Sequence, residues 1–368
     1  MPDDLIRYHG GNVYAAARNS GLATTDFLDF SANINPLGLS SRVRAALLAT
    51  LDSVVCYPDP DAVALKTAIA DTYQVSGDCI ETGNGAVELI YLLCRALSPR
   101  RVLLPAPSFG EYEAATRAAG LPVSRIPLSA EANFVPDIAA ICAGLQPGDL
   151  LFFCNPNNPT GVIMTSEQLE PLIAQATAIG AHIVVDESFI DFRPTERAES
   201  CRNLVGRFSG ITVLHSLTKF LAVPGLRLGF LLGQPALVQK LEKMRDPWNV
   251  NVMAQAAGVA GLQDQTYRWE TVQLVEQEKA AMQLQLETIP GIKVFSPSVN
   301  FVLADLGATG WNAESLQQQF WQEQVLIRNC ASFPGLSDCY IRLAVKQPAE
   351  NQRLIGLLKK IMCKDEEA

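Results

Sequence analysis

Lys219 stands in Ser216-Leu217-Thr218-Lys219, with two hydroxyls just behind it and Arg227 eight residues ahead. An amine in such company suits a partner that carries both an aldehyde and a phosphate. The lysine can condense with the carbonyl, while Ser216 and Arg227 hold the phosphate through charge-assisted hydrogen bonds. Three further stretches have chemistry to add. Gly83-Asn84-Gly85-Ala86 precedes a helical run and offers backbone N–H groups to an anion, although such turns also occur with no ligand. Asn155-Pro156-Asn157-Asn158-Pro159-Thr160-Gly161 follows an apolar run and, by itself, reads as a tight turn. Asp186 closes Ile183-Val184-Val185, and a carboxylate at the end of a buried strand needs a partner. A cationic ring nitrogen, an arginine or a helix end would each serve.

These residues fall where short apolar runs end. Arg101–Pro105, Asp149–Cys154, Ala181–Asp186, Gly210–His215 and Leu228–Leu232 read as buried strands. Between them Glu88–Leu97, Gly110–Ala119 and Ser166–Ile179 read as helices, the last with Ser166 as N-cap. Strands alternating with helices imply an α/β fold with a largely parallel sheet covered on both faces. Ligands of such sheets bind beyond the carboxyl ends of the strands, where these polar residues lie. Past residue 236 the pattern turns helical, with runs at Ala236–Met244 and Gln265–Thr288. Strand candidates follow at Ile292–Phe295, Asn300–Asp305, Val325–Arg328 and Tyr340–Ala344. The expected division is a large α/β domain over 41–250 and a smaller α+β domain built from 1–40 and 251–368. The first 40 residues are expected to lie with the C-terminal lobe along the cleft.

The composition fits a globular enzyme. The chain has 368 residues, 48% of them hydrophobic, and a net charge of −9, which argues against a nucleic-acid partner. An acidic chain that binds anions must gather its arginines locally. The N-terminus has no signal-peptide pattern, and no apolar stretch approaches the roughly 18 residues of a membrane span. Nine cysteines include no Cys-x-x-Cys and no zinc-like cluster, so a reducing, cytoplasmic setting and no metal are expected. No Gly-x-Gly-x-x-Gly or Walker loop marks a nucleotide site.

Asn-Pro-x-Asn-Pro-Thr-Gly, Asp-Glu and Ser-x-x-Lys in this order resemble the signature of fold-type I pyridoxal-phosphate (PLP) enzymes of the aminotransferase superfamily. The resemblance spans essentially the whole chain. It implies the fold-type I PLP-dependent transferase fold, with PLP as cofactor and Lys219 as its covalent anchor. Asp186 would face the pyridine nitrogen, and Asn158 the phenolic oxygen. Gly85, Ala86, Ser216 and Arg227 would hold the cofactor phosphate, and Phe109 would stack on the ring. Tyr57, in Cys-Tyr-Pro-Asp, is similar to a tyrosine that crosses a homodimer to the neighbouring site. One departure stands out: many relatives carry tyrosine where this chain has Phe189.

Two branches lie nearest, the histidinol-phosphate aminotransferases and the threonine-phosphate decarboxylases of cobalamin synthesis. His9-Gly10-Gly11-Asn12 and Asp29-Phe30-Ser31-Ala32-Asn33-Ile34-Asn35-Pro36-Leu37-Gly38 resemble the decarboxylases. So do Asp-Glu-x-Phe-Ile-Asp-Phe and Ile327-Arg328-Asn329-Cys330 with Phe333-Pro334-Gly335-Leu336. That resemblance implies decarboxylation of L-threonine O-3-phosphate to (R)-1-amino-2-propanol O-2-phosphate. Arg342 would take the α-carboxylate and Arg328 the substrate phosphate, helped by His9 and Asn33, because a guanidinium grips an oxyanion with paired bonds. Transamination of histidinol phosphate or a related compound is the alternative, since every cofactor residue is equally compatible with it.

Overall fold

The computed structural model describes residues 10–362, so His9 lies outside the described residues. In chain order the first strands are β1 (Leu28–Asp29), β2 (Ile80–Gly83), β3 (Arg101–Ala106), β4 (Val123–Pro127) and β5 (Asp149–Cys154). Then come β6 (His182–Asp186), β7 (Ile211–Ser216), β8 (Gly229–Leu232), β9 (Lys293–Val294) and β10 (Phe301–Asp305). The last are β11 (Val325–Leu326), β12 (Arg328–Asn329) and β13 (Tyr340–Ala344).

Seven strands form one sheet in the order β2-β8-β7-β6-β5-β3-β4. The neighbours β7-β6-β5-β3-β4 are parallel, whereas β8 runs antiparallel to both β7 and β2. The run read as Leu228–Leu232 is therefore a strand, but a reversed one. It follows β7 by a return through the short helix Leu217–Phe220 and the 3-10 turn Pro224–Leu226, which bring the chain back beside the end of β7 instead of crossing the sheet. Alternate side chains point to opposite faces and both faces are covered. Leu151, Phe153, Ile183, Val185 and Val213 pack beneath Ser166–Ile179, while Phe152, Val184, Leu214 and Leu231 pack beneath Ala86–Leu97. Truncating a core residue such as Leu151 to alanine would cost about 2–5 kcal/mol.

The helix at Ser166–Ile179 begins as expected, but Thr165 caps it. The Thr165 hydroxyl accepts from Gln168 N–H at 3.3 Å, and the Gln168 side chain accepts from Thr165 N–H at 2.8 Å. Ser166 instead donates to the Ala198 carbonyl.

A second sheet, ordered β12-β13-β10-β9, is antiparallel throughout. The single strand expected at Val325–Arg328 is split at Ile327. The chain there leaves a parallel pairing of β11 with β1 and joins β13 as β12. Gln265–Glu287, Ala313–Gln322 and Pro348–Met362 cover this sheet. Helix Val252–Leu262 packs instead on Ser41–Thr50 and Val63–Tyr73, and Ala254 and Ala257 join the core of the large sheet. Its small residues permit close approach: a Cβ on Gly258 would lie 2.6 Å from Leu65 Cδ1.

The segment after β1 crosses between the two sheets. Asn35 N–H donates to the Lys219 carbonyl, and Asn35 Nδ2 donates to the Phe220 carbonyl and Thr271 Oγ1. On its other side Asn300 Nδ2 donates to the Asn33 carbonyl, and Ala344 N–H to that of Phe30.

Candidate active site

Lys219 sits in the short helix Leu217–Phe220 that follows β7. Its Nζ donates to Ser216 Oγ at 2.9 Å, and Ser216 Oγ lies 2.8 Å from Thr218 Oγ1. The residue is half-buried, and burial pushes the amine's pKa down to about 8; Asp186 opposes the shift, and Arg227 and Arg342 add to it. About a tenth of the amine is therefore neutral and nucleophilic at pH 7, far more than for an unperturbed lysine.

Asp186, at the end of β6, is buried. Its Oδ2 accepts from the Tyr112 hydroxyl at 2.6 Å and its Oδ1 from Ser188 N–H at 2.9 Å. Ser216, Gly229 and Gly83 lie side by side in register across β7, β8 and β2. Arg227, in the left-handed region at φ 61°, folds over this row. A Cβ on Gly85 would lie 2.5 Å from Arg227 Nη2, and one on Gly229 would lie 2.5 Å from Ala86 N. Ser216, Arg227 and the N-terminus of the Ala86–Leu97 helix thus enclose an anion cradle in which a side chain at Gly85 would displace the Arg227 guanidinium.

Two asparagines of the 155–161 turn brace it. Asn155 bonds reciprocally with Met164, and Asn157 Nδ2 donates to the Pro107 carbonyl and Thr160 Oγ1. Asn158 is different, because its Oδ1 accepts from Arg342 Nη1, which orients the amide and leaves its NH2 group for another acceptor. Arg342 Nη2 donates to the Ser31 carbonyl at 2.9 Å, and its buried Nε has no partner. Burial lowers the Arg342 pKa to about 10, with neighbouring Arg328 adding to the effect. Arg328 of β12 faces Arg342 of β13 directly across the ladder. Its Nη2 donates to Ser332 Oγ at 2.7 Å, and its guanidinium lies 5.1 Å from the Phe333 ring centre. Like charges directly opposite one another in a sheet are destabilising, and anions in the cleft would offset the cost. Asn33 Oδ1 and Asn300 Oδ1 are also buried without partners.

Phe109 is half-buried and meets Tyr112 edge-on. Phe189 is buried with its ring 5.5 Å from Lys219 Nζ, so an apolar wall without a hydroxyl flanks the amine. Tyr57 is not brought into this cluster: it is 77% exposed and stacks on Trp248 at 4.3 Å. Sequence reasoning missed Tyr112 and Asn300. Tyr112 lay inside an apparent helix, and its position three residues after Phe109 was the available signal.

PLP fits this donor set. A nucleophilic lysine, a buried carboxylate for a cationic ring nitrogen, a glycine-lined anion cradle and the oriented Asn158 amide match its aldehyde, ring, phosphate and phenol. The chain is 36% identical over 356 residues to the threonine-phosphate decarboxylase of Salmonella typhimurium, covering 96% of either chain. Its fold matches the histidinol-phosphate aminotransferase of Clostridium acetobutylicum with a TM-score of 0.84, at 30% identity over 91% of this chain and 99% of that one. It also matches the L-threonine-O-3-phosphate decarboxylase of Porphyromonas gingivalis in fold, with a TM-score of 0.80 at 24% identity, over 91% of this chain and 99% of that one. Residues 25–358 match the aminotransferase class I and II family. With that match running from before β1 to the last helix, the chain belongs to the class I and II aminotransferase family.

Proposed function

We propose that the protein is a PLP-dependent decarboxylase that converts L-threonine O-3-phosphate to (R)-1-amino-2-propanol O-2-phosphate in cobalamin biosynthesis. The observation that carries this reading is the facing pair Arg328 and Arg342, two guanidiniums for a substrate with two anions. The 36% identity to a threonine-phosphate decarboxylase supports it. When bound, the cofactor supplies a sink for the electrons released at the substrate Cα. Lys219 anchors it, Ser216, Gly85, Ala86 and Arg227 hold its phosphate, Phe109 covers the ring, and Asn158 meets its phenolic oxygen. Asp186 keeps the ring nitrogen protonated.

Arg342 grips the substrate carboxylate, held in place by the Ser31 carbonyl and Asn158 Oδ1. By fixing the carboxylate, this grip would present that group for loss as carbon dioxide when the cofactor supplies its electron sink. Arg328 takes the substrate phosphate with Asn33 and His9. Lys219 Nζ then returns a proton to Cα. The enzyme works in the cytoplasm, in keeping with free cysteines throughout the described residues. Its large domain spans 41–250 and is extended by the helix Val252–Leu262, which packs into its core, and the small domain combines 1–40 with the remainder of 251–368. It acts as a homodimer in which Tyr57 enters the neighbouring site. The exposed apolar residues Leu48, Leu51, Val54, Val55 and Tyr57 supply a surface for that pairing.

The second reading, transamination of histidinol phosphate, is favoured by the fold match to a histidinol-phosphate aminotransferase. Incubation with PLP and L-threonine O-3-phosphate, without any keto acid, separates the two. Sustained carbon dioxide release is expected. No release, with amino transfer from histidinol phosphate to 2-oxoglutarate, would overturn the substrate assignment.

A further inference from the structure

Tyr112, in the helix Glu111–Ala118, is fully buried. Its ring stacks on Phe152 of β5, with centroids 5.0 Å apart and planes 6° from parallel. It meets Phe109 at 5.5 Å with the planes at 84°. A phenylalanine could make both contacts without burying a polar atom. The hydroxyl has a separate use: it donates at 2.6 Å to Asp186 Oδ2. Burial, then the Asp186 charge, holds the phenol well above its ordinary pKa, so it stays neutral and keeps the proton for that bond. With Ser188 N–H on Oδ1, each carboxylate oxygen has one donor and its rotation is blocked.

We infer that Tyr112 is a positioning residue for the reaction, fixing both the carboxylate that meets the cofactor's ring nitrogen and the aromatic ring that covers the cofactor's face. This rests on the cofactor reading above. Without the hydroxyl, Asp186 can turn away and its pairing with the ring nitrogen weakens. The electron sink then suffers, while the substrate anions still meet Arg328 and Arg342. The expected effect is on kcat rather than KM.

The test is Tyr112→Phe in the full-length holoenzyme, loaded with PLP carrying 15N in the ring. The ring-nitrogen resonance should move toward its unprotonated position. Loss of one hydrogen bond to a charged group should weaken cofactor binding and lower kcat by about tenfold or more each. KM should stay within about twofold if substrate binding is untouched. In an Asp186→Asn background the same substitution should alter cofactor affinity by less than about twofold, because the phenol acts through that carboxylate. A folded Tyr112→Phe protein with the parent's resonance and kcat overturns the inference and leaves the cofactor reading standing. A parent protein that takes up no PLP sinks both. If Tyr112→Phe does not fold, Phe152→Leu loosens the ring while keeping the hydroxyl. A smaller shift of the same sign is expected there, and an unchanged resonance refutes the role.

Discussion

The two cleft arginines can be told apart by a pair of substitutions read against a pair of substrates. Arg342→Gln removes the cation held by Asn158 and Ser31, and Arg328→Gln removes the one beside Ser332 and Phe333. Each guanidinium can form two parallel bonds to an oxyanion, each worth about 1.5–3 kcal/mol when charged. Allowing for non-additivity, losing a pair should cost about 3–5 kcal/mol, or roughly 10²- to 10⁴-fold in kcat/KM. L-Threonine carries the carboxylate without the phosphate. Arg342→Gln should therefore lower kcat/KM by similar factors for L-threonine and its phosphate ester. Arg328→Gln should penalise the ester alone, erasing most of its advantage over L-threonine. Carbon dioxide release, with the visible absorbance of the bound cofactor as a loading control, gives all four values. Losses under about threefold for both variants, or a penalty from Arg328→Gln equal for both substrates, would refute the assignment of the two anions.

Other outcomes follow from single features. The Lys219 amine, with its pKa near 8, should condense with free PLP faster as pH rises toward 8 and level off above it. Below that point the rate should fall by about tenfold per pH unit, because only the neutral amine attacks; stopped-flow absorbance would follow it. Gly85→Ala places a Cβ 2.5 Å from Arg227 Nη2 at a residue with φ +79°. The arginine's flexible end can yield, so the fold should survive while cofactor affinity drops by about tenfold, a displaced charged contact being worth about 1.5 kcal/mol or more. Val55, 86% exposed in the apolar surface around Tyr57, is a position where Val55→Asp should yield monomers in light scattering and lose activity, since a charge at the centre of an interface is costly.

The sequence was most legible where one local rule governed. β5, with Leu-Leu-Phe-Phe buried on both faces, and β13 have the bounds read from their apolar runs, and so does the helix Ser166–Ile179. The residues grouped around Lys219 were found because they follow strands and carry distinctive chemistry. The misses need partners far away in the chain. β2 is only four residues, and its Glu81 reads as polar; its burial is made possible by Arg245 and Lys66. Edge strand β4 contains Arg125 and ends at Pro127. Val252–Leu262 is so rich in small apolar residues that it shows no polar face, and Ser41–Thr50 and Val63–Tyr73 acquire their role by packing on it. The reversal of β8 depends on the path of the connection through Leu217–Phe220 and Pro224–Leu226, which hydrophobic periodicity does not record. Tyr112 matters because β6 ends beside its helix, a relation absent from the local pattern.

The strap formed by residues 30–35 also has a temporal meaning. Ser31 leaves the ribosome early, yet its arginine partner is 311 residues later. At about 5–20 residues per second, that partner follows some 15–60 s afterwards. Lys219's loop emerges partway through, but until β13 follows the segment has no Arg342 to pair with, and its Ser and Asn content suits a stretch that must wait in water. The parts for gripping a cofactor are all translated once Gly229 has emerged, whereas the substrate side is finished only with β13. Nascent chains stalled between these points would carry a lysine able to capture the aldehyde, but no complete means of choosing what it acts on.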